Sequence, residues 1–154
     1  MKYNFEQKRN DYQTPPELYQ LALDWIGASQ FDLDVCCSSL NIPSKFHLIE
    51  GERDGLTEDW LKLNWCNPPY NQCEKWVKKA YKEQQKGNYT VMLIPVRTET
   101  RYWQDYIINN SKISLDADVK FLKKGYGFIN PETKEEMGVF KNPLALVFFK
   151  GYFR

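Results

Sequence analysis

The feature that most restricts the fold is Asn67-Pro68-Pro69-Tyr70, lodged between a strand-like run, Leu63-Asn64-Trp65-Cys66, and a helical pattern over about 72–86. Two consecutive prolines fix φ, remove two backbone donors and push the residue before each one out of helical geometry. The chain must therefore leave a strand, hold a short rigid turn, and only then begin a helix. The same alternation recurs along the sequence. Phe31–Cys36 and Lys45–Ile49 read as strands, and Tyr89–Pro95 is an apolar run suited to a strand buried on both faces. Leu18, Leu21, Ala22, Trp25 and Ile26 fall at helical spacing and define a helix over about 15–26 that Gly27 ends. Thr14-Pro15-Pro16-Glu17 has the form of a capping box, with Thr14 as N-cap, Pro15 in the first helical position and Glu17 three residues on. A further helix covers about 99–109. The tail is strand-like at 112–116, 119–122 and 143–149, with the turn residues Gly125, Gly127, Asn130 and Pro131 between. Strands alternating with helices point to an α/β sheet, mostly parallel, with ligands at the carboxyl ends of its strands. The helix-poor tail implies an antiparallel edge.

The chain has 154 residues, which suits a single domain, and 42% hydrophobic residues supply a real core. Residues 1–12 are polar and mixed in charge and read as a loose arm. Apolar runs are too short to cross a bilayer and no N-terminal signal is visible, so no membrane partner is expected. The cysteines, Cys36, Cys37, Cys66 and Cys73, form no C-x-x-C pair, which fits a reduced, cytoplasmic setting. With His47 the single histidine, no metal site is expected.

A net charge of +1 settles little, since a protein held on DNA by charge alone is usually more basic. Nucleic-acid contacts would have to come from local patches. Lys75, Lys78, Lys79 and Lys82 share one face of the helix after Tyr70, opposite Trp76, Val77, Ala80 and Tyr81. Arg97, Thr98 and Arg101 follow the 89–95 strand and should emerge on the same sheet edge as Asn67. Lys120, Lys123 and Lys124, with Tyr126 and Phe128, form a third candidate loop.

The Asn67 turn suits chemistry on a flat amine. The exocyclic amine of adenine is planar because its lone pair is delocalised into the ring, and it is a poor nucleophile. Two acceptors on its two N–H groups would draw it toward a pyramidal shape and aim the lone pair outward. The Asn67 side-chain oxygen and the Pro68 carbonyl can be those acceptors, held rigid by Pro68 and Pro69 as preorganised catalysis requires. Tyr70 offers a face on which a base taken out of the duplex can stack. Against a sulfonium methyl donor the protein need only supply position and acceptors, so an asparagine is adequate.

Asn67-Pro68-Pro69-Tyr70 resembles the [D/N/S]-P-P-[Y/F/W] motif of amino-directed methyltransferases. Further segments resemble one narrower group, the phage-encoded DNA N-6-adenine methyltransferases (Dam-type). They are Gln13-Thr14-Pro15-Pro16-Glu17-Leu18, Phe31–Val35 with Asn41, Asp54-Gly55-Leu56 with Asp59-Trp60, Trp65–Tyr70, Lys75-Trp76-Val77, and Leu93–Thr98 with Trp103, together spanning about residues 11–149. The resemblance implies a Rossmann-like fold that uses S-adenosylmethionine (SAM) and a DNA adenine substrate flipped out of the helix. Carried over by position, Gln13, Thr14 and Pro15 match a segment near the amino-acid end of SAM. Asp34 matches an acid closing the first strand, and Asp54 an acid near the SAM adenine. Asn67, Pro68, Pro69 and Tyr70 match the catalytic set.

Asp32 alternates with Asp34 and shares its strand face, so the local pattern leaves both open as the binding acid. Only eight residues, Cys37 to Ser44, separate the first two strand readings, fewer than a parallel crossover usually needs. Either the first crossover is reduced to a turn or the second strand lies elsewhere. Two other functions stay open: methylation of a protein glutamine, which the motif also fits, and a nucleic-acid-binding module without catalysis, which the short region after Cys36 suggests.

Overall fold

The computed structural model describes residues 14–37, 42–123, 126–129, 135–139 and 142–152. Six strands form one sheet: β1 (Leu33–Cys37), β2 (Phe46–Ile49), β3 (Leu63–Cys66), β4 (Tyr89–Pro95), β7 (Ala117–Phe121) and β10 (Leu144–Phe149). Their spatial order is β2-β1-β3-β4-β10-β7. The first four are mutually parallel, and β10 runs antiparallel to both β4 and β7. The reversed strand is therefore second from the edge, and β7 at the edge runs with β4 again. This is the expected mostly parallel α/β sheet of Rossmann-like type. The chain goes from β1 out to β2 and returns to β3 on the other side of β1, so a topological switch point lies between β1 and β3.

β2 stands where the sequence places it, with Leu33 opposite Phe46 and Asp34 opposite His47. Residues 38–45 alone make the crossover, and among its described residues, 42–45, there is no helix. The ring of His47 holds this short connection: its Nε2 lies 2.7 Å from the Ile42 carbonyl and 3.1 Å from Ser44 Oγ. Ile42 is buried, and Gln30 donates to the Pro43 carbonyl at 2.8 Å.

α1 (Pro16–Ile26) covers one face of the sheet. Its N-cap is Pro15, with φ −59° and ψ 137°, and no side chain caps it. The capping box is not formed, because the Thr14 hydroxyl is engaged elsewhere and Pro16 takes the first helical position. The Pro15 carbonyl accepts from Leu18 and Tyr19 at 3.0 and 3.2 Å. At the other end Gly27 adopts φ 71°, and Gly27 and Ala28 donate to Asp24 and Leu23, a Schellman closure. Leu18, Tyr19, Ala22 and Leu23 are buried, while Leu21, Trp25 and Ile26 flank them. Tyr19 and Leu23, absent from the expected stripe, bring the buried face about one residue round. Tyr19, Phe31 and Trp65 meet there with ring centroids 5.3–5.9 Å apart.

α2 (Cys73–Gln85) covers the opposite face, entered through a single 3-10 turn, Tyr70–Gln72. It packs Trp76, Val77 and Ala80 on Val35, Met92, Ile94 and Val147. Glu83 is fully buried on α2 and receives Lys79 Nζ at 2.8 Å, Lys86 Nζ at 3.3 Å and Asn88 Nδ2 at 2.9 Å. Burial would raise its pKa, but these donors outweigh it and hold the carboxyl below its usual value. Lys79 is thereby removed from the basic stripe and lies over the Trp60 ring. Lys75, Lys78 and Lys82 stay exposed.

α3 (Arg101–Tyr106) is shorter than the expected 99–109. Asn109-Asn110-Ser111 favours a turn over helix, and β5 (Ile108–Asn109) pairs with β6 (Lys112–Ile113) as a small hairpin. The expected strand over 112–116 is thus divided between this hairpin and a turn. A second hairpin, β8 (Gly127–Ile129) with β9 (Glu136–Val139), occupies a region read from sequence as turns. Among the described residues no helix is long and apolar enough to cross a membrane.

Asn110 and Ser111 both have positive φ, 53° and 62°, as a two-residue type I′ hairpin turn demands. Serine carries a steric cost there that glycine lacks. Ser111→Gly should stabilise the protein by about 0.5–1 kcal/mol, read as a raised midpoint in thermal denaturation.

Candidate active site

The carboxyl ends of β1 and β2 border a cleft of about 500 Å³, within the range of small-molecule sites. Val35, Cys36 and Cys37 form its floor, Leu48 and Glu50–Arg53 one side, and Asp54, Gly55 and Leu56 the other. Pro69, Gln72 and Trp76 close it toward β3. Gly55 makes this packing possible: a Cβ there would lie 2.0 Å from the Val35 carbonyl and 2.8 Å from the Trp76 ring. The Gly55 carbonyl accepts from Trp60 Nε1 at 2.7 Å, and the Trp60 and Trp76 rings stack at 6.5 Å. Asp54-Gly55 is therefore both a turn and a close-approach site. Asp54 Oδ1 accepts from the Leu56 amide at 2.9 Å, which fixes the carboxylate at the cleft wall.

Glu50, Glu52 and Arg53 were not singled out from sequence. The signal was available in Glu50, an acid directly after a strand. Its helical spacing marks Trp76 as a core residue. It is 6% exposed and lines the cleft, and among the described residues its buried Nε1 has no hydrogen-bond partner.

Asn67 follows β3 and is half-buried. Its Nδ2 donates to Thr14 Oγ1 at 3.2 Å, across 53 residues of sequence. Among the described residues its Oδ1 has no recorded donor. Pro68 and Pro69 are buried. The Pro69 carbonyl accepts from the Gln72 amide at 2.9 Å, whereas no described residue donates to the Pro68 carbonyl. Two acceptor oxygens thus stand available in succession at the end of β3. Tyr70 is half-buried and packs against both core clusters. Thr14 and Pro15 are buried beside this turn, and Gln13 lies outside the described residues.

Asp34 does not close its strand. It is the second residue of β1, which runs on to Cys37, and it is 2% exposed and not part of the cleft lining. The Cys36 amide donates to its Oδ1 at 3.3 Å. Asp32 precedes β1 at the opposite sheet edge, where it accepts from the Leu63 amide at 3.0 Å and pairs with Lys45 at 3.1 Å. Those contacts give Asp32 a fold role away from the cleft. The four cysteines are free. Burial raises the thiols of Cys36 and Cys66 and pushes Cys37 up to about 12, so all three stay protonated.

Past β4, Arg97 pairs with Glu99 at 3.0 Å and Arg101 opens α3, both exposed with Thr98 on the edge that carries Asn67. The segment is tied down by Trp103 Nε1 donating to the Pro95 carbonyl at 3.1 Å and Gln104 Nε2 donating to the Thr98 carbonyl at 2.6 Å. Among the described residues no group of three or more His, Cys, Asp or Glu is arranged to hold a metal.

Burial raises the Asp34 carboxyl from 3.8 to about 7, against the lowering effect of the Cys36 amide. Because the folded pKa lies above the unfolded one, the folded state binds the extra proton between them, and stability falls as pH rises from about 4 to 7. The full loss is at most about 4 kcal/mol. Asp34→Asn should therefore raise the melting temperature at pH 8 and show a much smaller difference at pH 5. An offset independent of pH in thermal denaturation would contradict the buried, uncompensated charge.

The family model for DNA N-6-adenine-methyltransferase (Dam) matches residues 3–154. Over 123 residues, 79% of this chain and 68% of the relative, the sequence is 35% identical to a DNA N-6-adenine-methyltransferase of Haemophilus phage HP1 (strain HP1c1). Over 94 residues, 58% of this chain and 39% of the relative, it is 31% identical to a DNA N-6-adenine-methyltransferase of Escherichia phage T1. With its parallel sheet, its cleft at the strand ends and its Asn-Pro-Pro-Tyr turn, the chain belongs to the DNA N-6-adenine-methyltransferase (Dam) family.

Proposed function

We propose that this protein transfers a methyl group from SAM to N6 of adenine in DNA, with Asn67 Oδ1 and the Pro68 carbonyl as the two acceptors that reshape the amine. The observation that carries this reading is the pair of oxygens at the end of β3, neither of which has a donor among the described residues. An acceptor with no protein donor is free to take an N–H of a ligand. Two in succession match the two N–H groups of one amine.

The cleft fits the donor by its chemistry. SAM carries an ammonium, two ribose hydroxyls and an adenine amine, all hydrogen-bond donors, and Glu50, Glu52 and Asp54 line the wall with acceptors. Gln13, Thr14 and Pro15 would flank the amino-acid end through their backbone, the Thr14 hydroxyl being turned to Asn67, and Asp34 would serve there if a cation offset its buried charge. Bound SAM supplies an activated methyl group on sulfur. The protein's part is to hold the amine in line and to exclude water. Tyr70, at the mouth of the turn, would stack on the flipped adenine, worth about 1–3 kcal/mol.

DNA phosphates would meet Lys75 and Lys78 on α2 and Arg97, Thr98 and Arg101 beyond β4. Among the described residues Lys75, Lys78 and Arg101 are exposed and form no ion pair, so their charge is available.

Asn67→Ala should leave SAM affinity nearly intact and lower kcat on duplex DNA about 10²–10³-fold, the cost of one preorganised partner. Normal turnover by that variant, followed with labelled SAM, would rule out the acceptor mechanism. The double variant K75A/K78A should weaken DNA binding uniformly across sequences. It should also reduce the slope of log affinity against log salt by about 2, since each phosphate contact contributes about 0.9. An unchanged slope in fluorescence anisotropy would remove α2 from the DNA interface.

A further inference from the structure

Two X-Pro-Pro segments face each other at the site. Thr14-Pro15-Pro16 begins α1 and Asn67-Pro68-Pro69 ends β3, and the first residue of each is hydrogen-bonded to the first residue of the other, Asn67 Nδ2 to Thr14 Oγ1 at 3.2 Å. Proline restricts the backbone of the residue before it, so both partners are held from the same side by the same device. Thr14 is 4% exposed, and its hydroxyl does not cap α1, whose N-cap is Pro15.

A carboxamide is nearly symmetric in shape but not in chemistry. Turning Asn67 by half a revolution about its last torsion would exchange Oδ1 for Nδ2 with little steric cost. It would then present N–H groups to an amine that itself offers N–H groups. Catalysis by Asn67 therefore needs something to distinguish the two ends of the amide. We propose that the Thr14 hydroxyl is the positioning half of that device: a hydroxyl can accept or donate, so by accepting from Nδ2 it fixes the plane of the amide, and the N–H groups of the substrate select the same end, with Oδ1 outward. This inference rests on the assignment of Asn67 as an acceptor for the target amine.

The test uses the full chain with Thr14→Val, which keeps the shape and removes the hydroxyl, with Thr14→Ala as a second variant should valine disturb folding, and with Thr14→Ser as the conservative rescue. Three quantities are measured: kcat and KM on an adenine-containing duplex, calorimetric affinity for SAM, and the side-chain amide signals of Asn67 in a proton–nitrogen correlation spectrum, assigned by their loss in Asn67→Asp. The expected result for Val is a kcat lowered about tenfold, the scale of one neutral hydrogen bond. SAM affinity should stay within about twofold, consistent with no direct cofactor contact by the hydroxyl. The Asn67 amide protons should shift and exchange faster with solvent, and Ser should recover most of the rate. A wild-type kcat in Val or Ala, or Asn67 amide signals that do not move, would overturn the proposal. So would a loss of SAM affinity at unchanged kcat, which would make Thr14 a cofactor contact instead. If the wild-type chain transfers no methyl group to DNA, the functional reading fails, while the amide signals still decide whether Thr14 orients Asn67.

Discussion

The end of β3 is the constraint around which the molecule is arranged. Strand pairing with β4 runs through Cys66, and Pro68 and Pro69 cannot donate to continue it. The chain must turn out of the sheet at Asn67, beside the switch point, and cannot enter α2 until Cys73. That delay exposes a run of backbone and side-chain oxygens at the carboxyl edge. Segments far apart in sequence are then brought together: Thr14 at the start of α1 on Asn67, and Gly55 on the Val35 carbonyl beside the cleft that Pro69 helps to close.

Much of this was legible in the sequence because the strong signals were local and redundant. Tyr89–Pro95 could only be a buried strand, and β3 and α2 were delimited by the prolines between them. The failures have physical causes. Thr14-Pro15-Pro16-Glu17 satisfies the pattern of a capping box, yet the hydroxyl that would cap is taken by Asn67, a partner no local window can reveal. Asp34 was matched to a strand-closing acid by resemblance, whereas β1 runs from Leu33 through Cys37 and places it second in the strand. Lys79 looks like its neighbours on the helical wheel but is claimed by Glu83, whose burial depends on tertiary packing. The helix expected over 99–109 stops at Tyr106 because the following residues close a hairpin. At the site, Asn67-Pro68-Pro69-Tyr70 and Asp54 were found from sequence, whereas Glu50 and Trp76 were brought to the cleft by the sheet and by the Gly55 contact.

The fold and the proposed chemistry make opposite demands on polar groups. Away from the cleft, several buried polar side chains are satisfied internally, although the Thr90 hydroxyl on β4 has no partner among the described residues. Asn64 makes three hydrogen bonds to backbone, Gln84 donates to two carbonyls, and Glu83 gathers two lysines and an asparagine. At the carboxyl edge the pattern reverses. The Pro68 carbonyl, Asn67 Oδ1 and Trp76 Nε1 lack partners among the described residues, and Asp34 holds a buried carboxyl with one amide to support it. Among them the buried Asp34 carboxyl costs stability unless a positive group meets it. The open acceptors at the end of β3 mark where a substrate is expected to complete the structure.

The most direct measurement is a crystal structure of the protein with a non-reactive SAM analogue and a duplex carrying the target adenine. The account predicts the adenine outside the helix, its N6 within about 3 Å of both Asn67 Oδ1 and the Pro68 carbonyl, with the analogue in the cleft bounded by Asp54 and Trp76. An adenine whose N6 meets other groups, with Asn67 still turned away from it, would contradict the account at its centre.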